Sequence, residues 1–487
     1  MLRKIRIALA AVFFTLITLL FIDFTGIFHT YLGWMAKIQL LPAILAGNVV
    51  VVAVLLVLTI LFGRIYCSVI CPMGVMQDIF SFFGGKAKKN RFSYTKNRPW
   101  LRIGILVLFV VLMLIGLNAI AILIAPYSAF GRIATNILQP VYIWINNIFA
   151  YFAERADSYA FYHVDVWVKA GASLAVAIIT LVVIGFLAFR YGRSWCNNIC
   201  PVGTLLGFIS KYSLFCIKID DSKCVKCHKC ERNCKSSCID VENHVIDHSR
   251  CIACMNCIGN CKQGGITYGL RKRATKSVDA KVDDSRRKFL ATTAAVGTAM
   301  AVKAQEVKMD GGLAVIEDRQ SPSRKTAIKP AGSGCHANFS KHCTACQLCV
   351  SECPNHVLRP STKLENLMQP EMDFDNGYCN INCNRCSQVC PTGAIQKIEK
   401  EDKTNIRIGH AIWLTQNCLL SKGEACGLCQ RNCPTEALML VDDFSTGKKS
   451  ISVNESKCIG CGKCENLCPS RPLGAIYVEG HENHICG

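Results

Sequence analysis

Cysteine is the residue type that could do chemistry in this chain. It occupies 32 of 487 positions. Twenty-four of them form six groups of four. Four groups share the spacing Cys-x2-Cys-x2-Cys-x3-Cys: Cys224, Cys227, Cys230 and Cys234; Cys251, Cys254, Cys257 and Cys261; Cys343, Cys346, Cys349 and Cys353; Cys458, Cys461, Cys464 and Cys468. Two are variants: Cys379, Cys383, Cys386 and Cys390; Cys418, Cys426, Cys429 and Cys433. Three thiolates three residues apart can wrap one face of a cuboidal iron–sulfur core, and the fourth reaches the neighbouring core in two-cluster ferredoxins. The spacing therefore predicts six [4Fe-4S] clusters. In the first pair the sharing is crosswise: Cys224, Cys227, Cys230 and Cys261 hold one cluster, and Cys251, Cys254, Cys257 and Cys234 the other. Structural zinc sites need only four ligands, usually two Cys pairs across a longer loop, and fit this pattern badly. A disulfide framework suits an oxidising compartment, not the cytoplasmic side to which charge assigns the first groups.

Four further thiols stand in a repeated motif. Gly63-Arg64 leads into Cys67-x3-Cys71-Pro72-x-Gly74, and Gly192-Arg193 into Cys196-x3-Cys200-Pro201-x-Gly203. An additional iron–sulfur or zinc centre, redox dithiols beside a quinone pocket, and structural turns with buried thiols are all open readings, since soft thiolates select such metals. Cys216, Cys238, Cys335 and Cys486 are unassigned and read as plain thiols.

Four apolar stretches are long enough to position these motifs as helices across a bilayer core of roughly 30 Å. They run approximately Ile5–Ile22, Leu41–Phe62, Ile103–Ala125 and Ala170–Phe189, and apart from Arg6 at the start of the first none carries an internal charge. Arg3, Lys4 and Arg6 cluster at the start of the first, and seven Lys or Arg lie from Lys86 to Arg102, whereas Lys37 is the only one between the first and second. The positive-inside rule puts the N-terminus, the 63–102 loop and the residues after Phe189 in the cytoplasm. Each helix pair ends in the same Cys-x3-Cys-Pro motif, so the membrane part reads as an internal duplication. The expected architecture is multi-domain. An α-helical membrane domain of four spans (1–212) precedes a small α+β ferredoxin-like two-cluster domain in the cytoplasm (213–270). A linker (271–334) holds a twin-arginine pattern, Ser285-Arg286-Arg287-Lys288-Phe289-Leu290, with an apolar run ending near Ala304. A second α+β ferredoxin-like domain with four clusters (335–487) then lies in the periplasm.

The formal charge of +21 raises the possibility of nucleic-acid binding. From Pro330 onward, however, 15 Lys+Arg face 16 Asp+Glu, so the excess belongs to the first part, where it flanks apolar runs. Topology explains it better, and no nucleic-acid partner is expected. A bound cluster with its four thiolates nets about −2, so four make the last domain strongly acidic, a surface for a basic partner. The chain shows no Gly-rich nucleotide loop, nucleophile elbow or HExxH. It reads as a membrane-embedded electron carrier. A lipid-soluble quinol is its expected reductant, and Asp23, His29, Tyr31, Trp34 and Gln39 are candidates to line the quinol pocket, unless they form an aromatic belt.

Residues 1 to about 270 resemble the NapH family of quinol-dehydrogenase membrane subunits, through the four spans, the two Cys-x3-Cys-Pro motifs and the two-cluster ferredoxin. Residues from Ser285 onward resemble the NapG/MauM ferredoxin family, through the twin-arginine leader and four cluster motifs. The resemblance implies an inner-membrane quinol dehydrogenase component. It would oxidise menaquinol or ubiquinol from the membrane quinone pool and deliver electrons to a periplasmic cytochrome or terminal reductase, as in a nitrate-reductase-type system. By the same analogy, the outer two groups of the last domain would pair with each other, and so would the inner two. A maturation or assembly electron donor for a metalloenzyme, a conduit from a cytoplasmic ferredoxin, and a cytoplasmic polyferredoxin scaffold are the alternatives. The fusion of the two partners departs from the family pattern, and leaves open whether the twin-arginine segment is cut or retained.

Overall fold

The computed structural model describes residues 2–90, 92–158, 160–271, 319–443 and 448–486. The twin-arginine pattern lies outside the described residues. Two of the expected spans are unbroken helices long and apolar enough to cross a membrane, Leu2–Ile22 and Gly171–Tyr191, with mean hydropathies of 2.5 and 2.7. At 1.5 Å per residue each 21-residue helix is about 31 Å long. The other two stretches are interrupted, contrary to the sequence expectation. Leu41–Phe62 splits into Leu40–Leu45 and Val49–Phe62, because the Asn48 side chain accepts from Val51 N at 3.2 Å and starts a new helix. Ile103–Ala125 splits where Gly116, at φ 90°, ends the helix Pro99–Ile115 in the left-handed conformation. The helix Asn118–Ile124 follows, bent by 78° from Pro126–Arg155.

The bend serves packing. Every residue of Pro126–Ile133 is buried. Its Arg132 turns back to donate to the carbonyl of Leu123, at 2.9 Å, at the end of the preceding helix, and to that of Ile122, at 3.4 Å, which also accepts from Ala125 N. Phe21, Tyr127 and Phe130 pack at centroid separations of 5.7 and 6.0 Å. A π-helical turn, Ala134–Leu138, then leads into Gln139–Arg155. Such widened turns are frequent where a helix carries function.

The iron–sulfur motifs lie on short helices and two-stranded antiparallel sheets. Phe215–Ile219 pairs with Ile266–Leu270 and closes the first unit. Leu358–Pro360 pairs with Pro370–Met372, Leu438–Asp443 with Lys448–Val453, and Ile406–Trp413 with Ile476–Cys486 in the last.

The two units sit at opposite ends of the long helices. Gly192, just past Gly171–Tyr191, lies against Lys235 of the two-cluster unit, and Arg193 N donates to the Lys235 carbonyl at 2.8 Å. At the other end of that helix, Gln347 of the four-cluster unit donates to Ser173 Oγ at 2.8 Å. Helix Leu2–Ile22 repeats the arrangement. Arg3 approaches Gly259 near its start, and Arg385 donates to the carbonyl of Thr25 beyond its end at 3.2 Å.

Candidate metal centres

The loops that carry the four regular motifs share one backbone device. The residues on either side of the second cysteine both have positive φ: Lys226 and His228, Ala253 and Met255, Ala345 and Gln347, Gly460 and Gly462. Six of these eight are not glycine, so the conformation is costly and persists only where the surroundings enforce it. Successive amides then turn inward, the kind of concavity that binds anions and iron–sulfur cores. Ala345 N, for example, lies 3.4 Å from Cys343 Sγ. The closing cysteines receive amides too: Ala437 N reaches Cys433 Sγ at 3.3 Å and Ala475 N reaches Cys468 Sγ at 3.2 Å.

Among the described residues the sulfurs line four small spaces and gather in two further groups. One is lined by Cys224, Cys227, Cys230 and Cys261, and a second by Cys234, Cys251, Cys254 and Cys257. Cys238, unassigned in the sequence, also lines the second, with its sulfur 3.6 Å from Cys234 Sγ. In the last domain Cys343, Cys346 and Cys349 face Cys390. Cys353 joins Cys379, Cys383 and Cys386. Cys418, Cys426 and Cys429 meet Cys468, while Cys458 and Cys461, with Cys464 beside them, lie within electrostatic range of Cys433. Consecutive groups are therefore interleaved, the first with the second and the third with the fourth. This corrects the expected outer-with-outer and inner-with-inner pairing. The strand pairs Leu358–Pro360 with Pro370–Met372 and Leu438–Asp443 with Lys448–Val453 lie between the groups that are brought together. The Cys379 amide donates to the Cys461 carbonyl at 2.9 Å, which joins the two pairs into one row.

The donor set fits iron–sulfur cores. Among the described residues, no three His, Cys, Asp or Glu close on one point tightly enough for a single metal ion. The sulfurs instead surround spaces that a polynuclear core would fill. Burial, with the Cys390 thiol nearby, pushes Cys346 up to about 11, and burial likewise lifts Cys429 to about 11. Metal loading at these positions must displace protons, because thiolates are the ligands. Lys403 places Nζ 3.1 Å from Cys379 Sγ, a counter-charge at the row's second space.

The four motif thiols Cys67, Cys71, Cys196 and Cys200 come together in one buried group. Burial raises the thiols of Cys71 and Cys200, and the other sulfurs of the group raise them further. The two motifs bind each other reciprocally. Arg193 donates to the Cys67 carbonyl at 2.7 Å, and Arg64 to the Cys196 carbonyl at 3.2 Å. A Cβ on Gly74 would meet the Cys67 oxygen at 2.3 Å, and one on Gly203 the Cys196 oxygen at 2.2 Å. Gln77 Nε2 and Gly203 N approach the sulfurs of Cys196 and Cys200 at 3.2 and 3.3 Å. Asp78 anchors the group, 2.9 Å from both Arg193 and Arg6 and 3.2 Å from Lys235. Burial alone would raise its carboxyl, but Arg193, Lys235 and Arg6 outweigh it and hold it well below the usual range.

The outer-edge candidates divide. Asp23 is spent on capping, since its carboxylate accepts from Thr25 N and Phe28 N at 2.8 Å each. Gln39 is buried and accepts from the Tyr66 hydroxyl at 2.9 Å. Tyr31 and Trp34 are exposed, and His29 stacks beneath Gly33. Cys216 is buried in its strand, and Cys335 precedes the helix His336–His342.

The 4Fe-4S binding domain family matches twice, at residues 45–90 and 172–219, each match spanning one Cys-x3-Cys-Pro motif. The 4Fe-4S dicluster domain family matches residues 342–394 and 424–471, the same interleaved pairs that the structure brings together. The ferredoxin-type protein NapG of Escherichia coli is 31% identical over 212 residues, covering 39% of this chain and 84% of that one. The ferredoxin-type protein NapF of the same species is 29% identical over 155 residues, 32% of this chain and 87% of NapF. The methylamine utilization ferredoxin-type protein MauM of Methylorubrum extorquens is 33% identical over 181 residues, 34% of this chain and 80% of MauM. No solved structure matches. With most of the length of NapG and MauM covered at this identity, the chain belongs to the NapG/MauM family of ferredoxin-type iron–sulfur electron-transfer proteins.

Proposed function

We propose that the protein is a NapH-type membrane subunit fused to a NapG/MauM-type ferredoxin, and that it oxidises menaquinol or ubiquinol and serves a periplasmic acceptor. The observation that carries this reading is the seating of the two cysteine-rich units at opposite ends of helices Leu2–Ile22 and Gly171–Tyr191. Residues 1–212 would embed in the inner membrane as two related halves with four crossings. The helices Val49–Phe62 and Pro99–Ile115 would complete their crossings with the short buried helices beside them. The two-cluster unit would face the cytoplasm and the four-cluster unit the periplasm. The twin-arginine segment would direct export.

The 24 cysteines of the six groups would hold six [4Fe-4S] clusters, which supply one-electron transfer when bound. The tetrad of Cys67, Cys71, Cys196 and Cys200 would hold a further centre. Its place supports this, because it lies between the two units. Tyr66 adjoins Cys71, and Tyr127 stands within electrostatic range of both Tyr66 and Cys346. The buried helix Pro126–Ile133 thus shortens the gap that an ordinary bilayer core would impose. A periplasmic cytochrome or terminal reductase, met through the acidic last domain, would be the acceptor.

Two measurements test the proposal. A reporter fused after Gly487 should be active only outside the cytoplasm. Purified protein should lose iron–sulfur absorbance on anaerobic addition of a quinol. Activity of the reporter inside the cell would remove the exported-donor reading. One observation favours a second reading, a conduit from a cytoplasmic ferredoxin. Cys227 of the two-cluster unit is exposed, so a soluble partner could reach that end. Reduction by a ferredoxin but by no quinol would select it.

A further inference from the structure

A cavity of about 350 Å³ lies between the membrane part and the four-cluster unit. We propose that it is the site where the quinol headgroup binds, an inference that rests on the quinol-oxidising reading above. Its volume falls within the roughly 300–1,000 Å³ of small-molecule sites. Ile143 and Trp167 give it apolar walls on the membrane side.

Two of its buried polar groups are incompletely spent. Lys169, 7% exposed, donates to the Thr135 carbonyl at 2.8 Å and to the Gln139 side chain, which leaves one of its three N–H groups over. Glu352, 2% exposed, has an Oε1 with no hydrogen-bond partner. Leaving a buried carboxylate oxygen unpaired is costly. A ligand that donates a hydroxyl at one place and accepts at another would answer both groups, and a para-quinol has both capacities.

Two neighbours point to a lipid-soluble redox ligand. The helix Gln139–Arg155, which contributes Gln139 and Ile143 to the cavity, exposes Trp144, Ile145, Phe149 and Phe152 on its outer side. That apolar face is the kind that lies in a membrane surface, from which a lipid-soluble molecule arrives. On the other side, Cys353 lines both this cavity and the space it shares with Cys379, Cys383 and Cys386. A ligand in the cavity is thus one residue from a candidate cluster. Each quinol oxidised there would become a quinone, releasing two electrons and two protons. Two oxidised [4Fe-4S] clusters of the adjoining unit would take one electron each, and the protons would leave to water at the cavity mouth. The quinol would then meet the four-cluster unit directly, without drawing on the cytoplasmic side.

The full-length, iron-loaded protein in lipid nanodiscs provides the test. Binding of a short-chain ubiquinone and a short-chain naphthoquinone is followed by quenching of tryptophan fluorescence. Bleaching of iron–sulfur absorbance by the corresponding quinols is compared with bleaching by dithionite. Val166→Trp, at a half-exposed position of the cavity wall, should weaken binding at least tenfold and slow quinol bleaching at least tenfold. Glu352→Gln should act in the same direction, with iron content and dithionite bleaching of both variants unchanged. If the parent protein is bleached by quinol and both variants behave like it, the site is elsewhere and this inference fails while the quinol reading stands. If the parent protein neither binds quinone nor is bleached by any quinol, the reading and the inference fail together.

Discussion

Asp78 shows how much of this molecule depends on single buried side chains. It is the one carboxylate facing Arg6, Arg193 and Lys235, and Arg193 in turn holds the Cys67 carbonyl. Removing one member of a buried ionic network leaves its partners uncompensated, at a cost of about 3–5 kcal/mol. Asp78→Asn should therefore lower the thermal unfolding midpoint in detergent by many degrees. An unchanged midpoint would mean that the cations find water or lipid partners. The thiol tetrad gives a second expectation. Six four-iron clusters amount to about 24 irons per chain and a seventh to about 28. If the tetrad holds a four-iron centre, Cys67→Ser and Cys200→Ser should each lose about four, while Cys216→Ser should lose none. Equal iron in all three would make the tetrad structural. The grouping of the cysteines was legible because it is written in local spacing. Asp78 was not, because it pairs with Arg193 across 115 positions. Glu352 and Lys169 escaped notice for the same reason, and the expected outer-edge set was drawn to Asp23 and Gln39, whose polar atoms local contacts already occupy.

Among the elements, the helices that follow the Cys-Pro motifs require close approach. Gly74 and Gly203 occupy the same place in Pro72–Lys86 and Pro201–Ser210, and each admits the cysteine carbonyl of its own motif and the arginine of the opposite one. A methyl there must displace backbone, and such overpacking costs about 1–3 kcal/mol. Gly74→Ala and Gly203→Ala should lower the unfolding midpoint alike. Gly104→Ala, where a Cβ would meet nothing within 4 Å, should be neutral or slightly stabilising, because alanine is the better helix former. Unequal effects at Gly74 and Gly203 would argue against equivalent halves. Hydropathy revealed four apolar stretches, but it is blind to breakers. Asn48 and Gly116 divide two of the stretches into shorter helices, and only packing shows that the short pieces Leu40–Leu45 and Asn118–Ile124 are largely buried while their longer neighbours are not. The interleaving of the last four groups was equally hidden. Spacing fixes which cysteines form a group, whereas the fold of the intervening loops fixes which group closes it.

At the scale of the whole molecule, the question is what keeps the last cysteine-rich unit on the helical part. The linker residues 272–318 join them covalently, but the contact surface is itself extensive. Gly131 lies so close to the Cys346 carbonyl that a Cβ would stand 2.4 Å from the oxygen. Around it, Asn136 donates to Gln347 at 2.7 Å, Gln139 to the Ser351 carbonyl at 3.2 Å, and Asn118 to the Ser340 carbonyl at 2.7 Å. These are buried or part-buried polar pairs on both sides, and separating them would leave each group unsatisfied unless water replaced its partner. Such an interface should hold without the chain connection. A protease site inserted between residues 272 and 318 and cut after purification should leave the two fragments co-eluting in mild detergent. Gly131→Val should release the four-cluster fragment in the same assay while leaving its iron in place, because the substitution touches the docking face and none of the sulfurs. If the cut parent protein falls apart, docking depends on the linker. Export with cleavage would then yield a free ferredoxin, whereas a stable contact makes the two halves one electron-transfer unit whether or not the chain between them is cut.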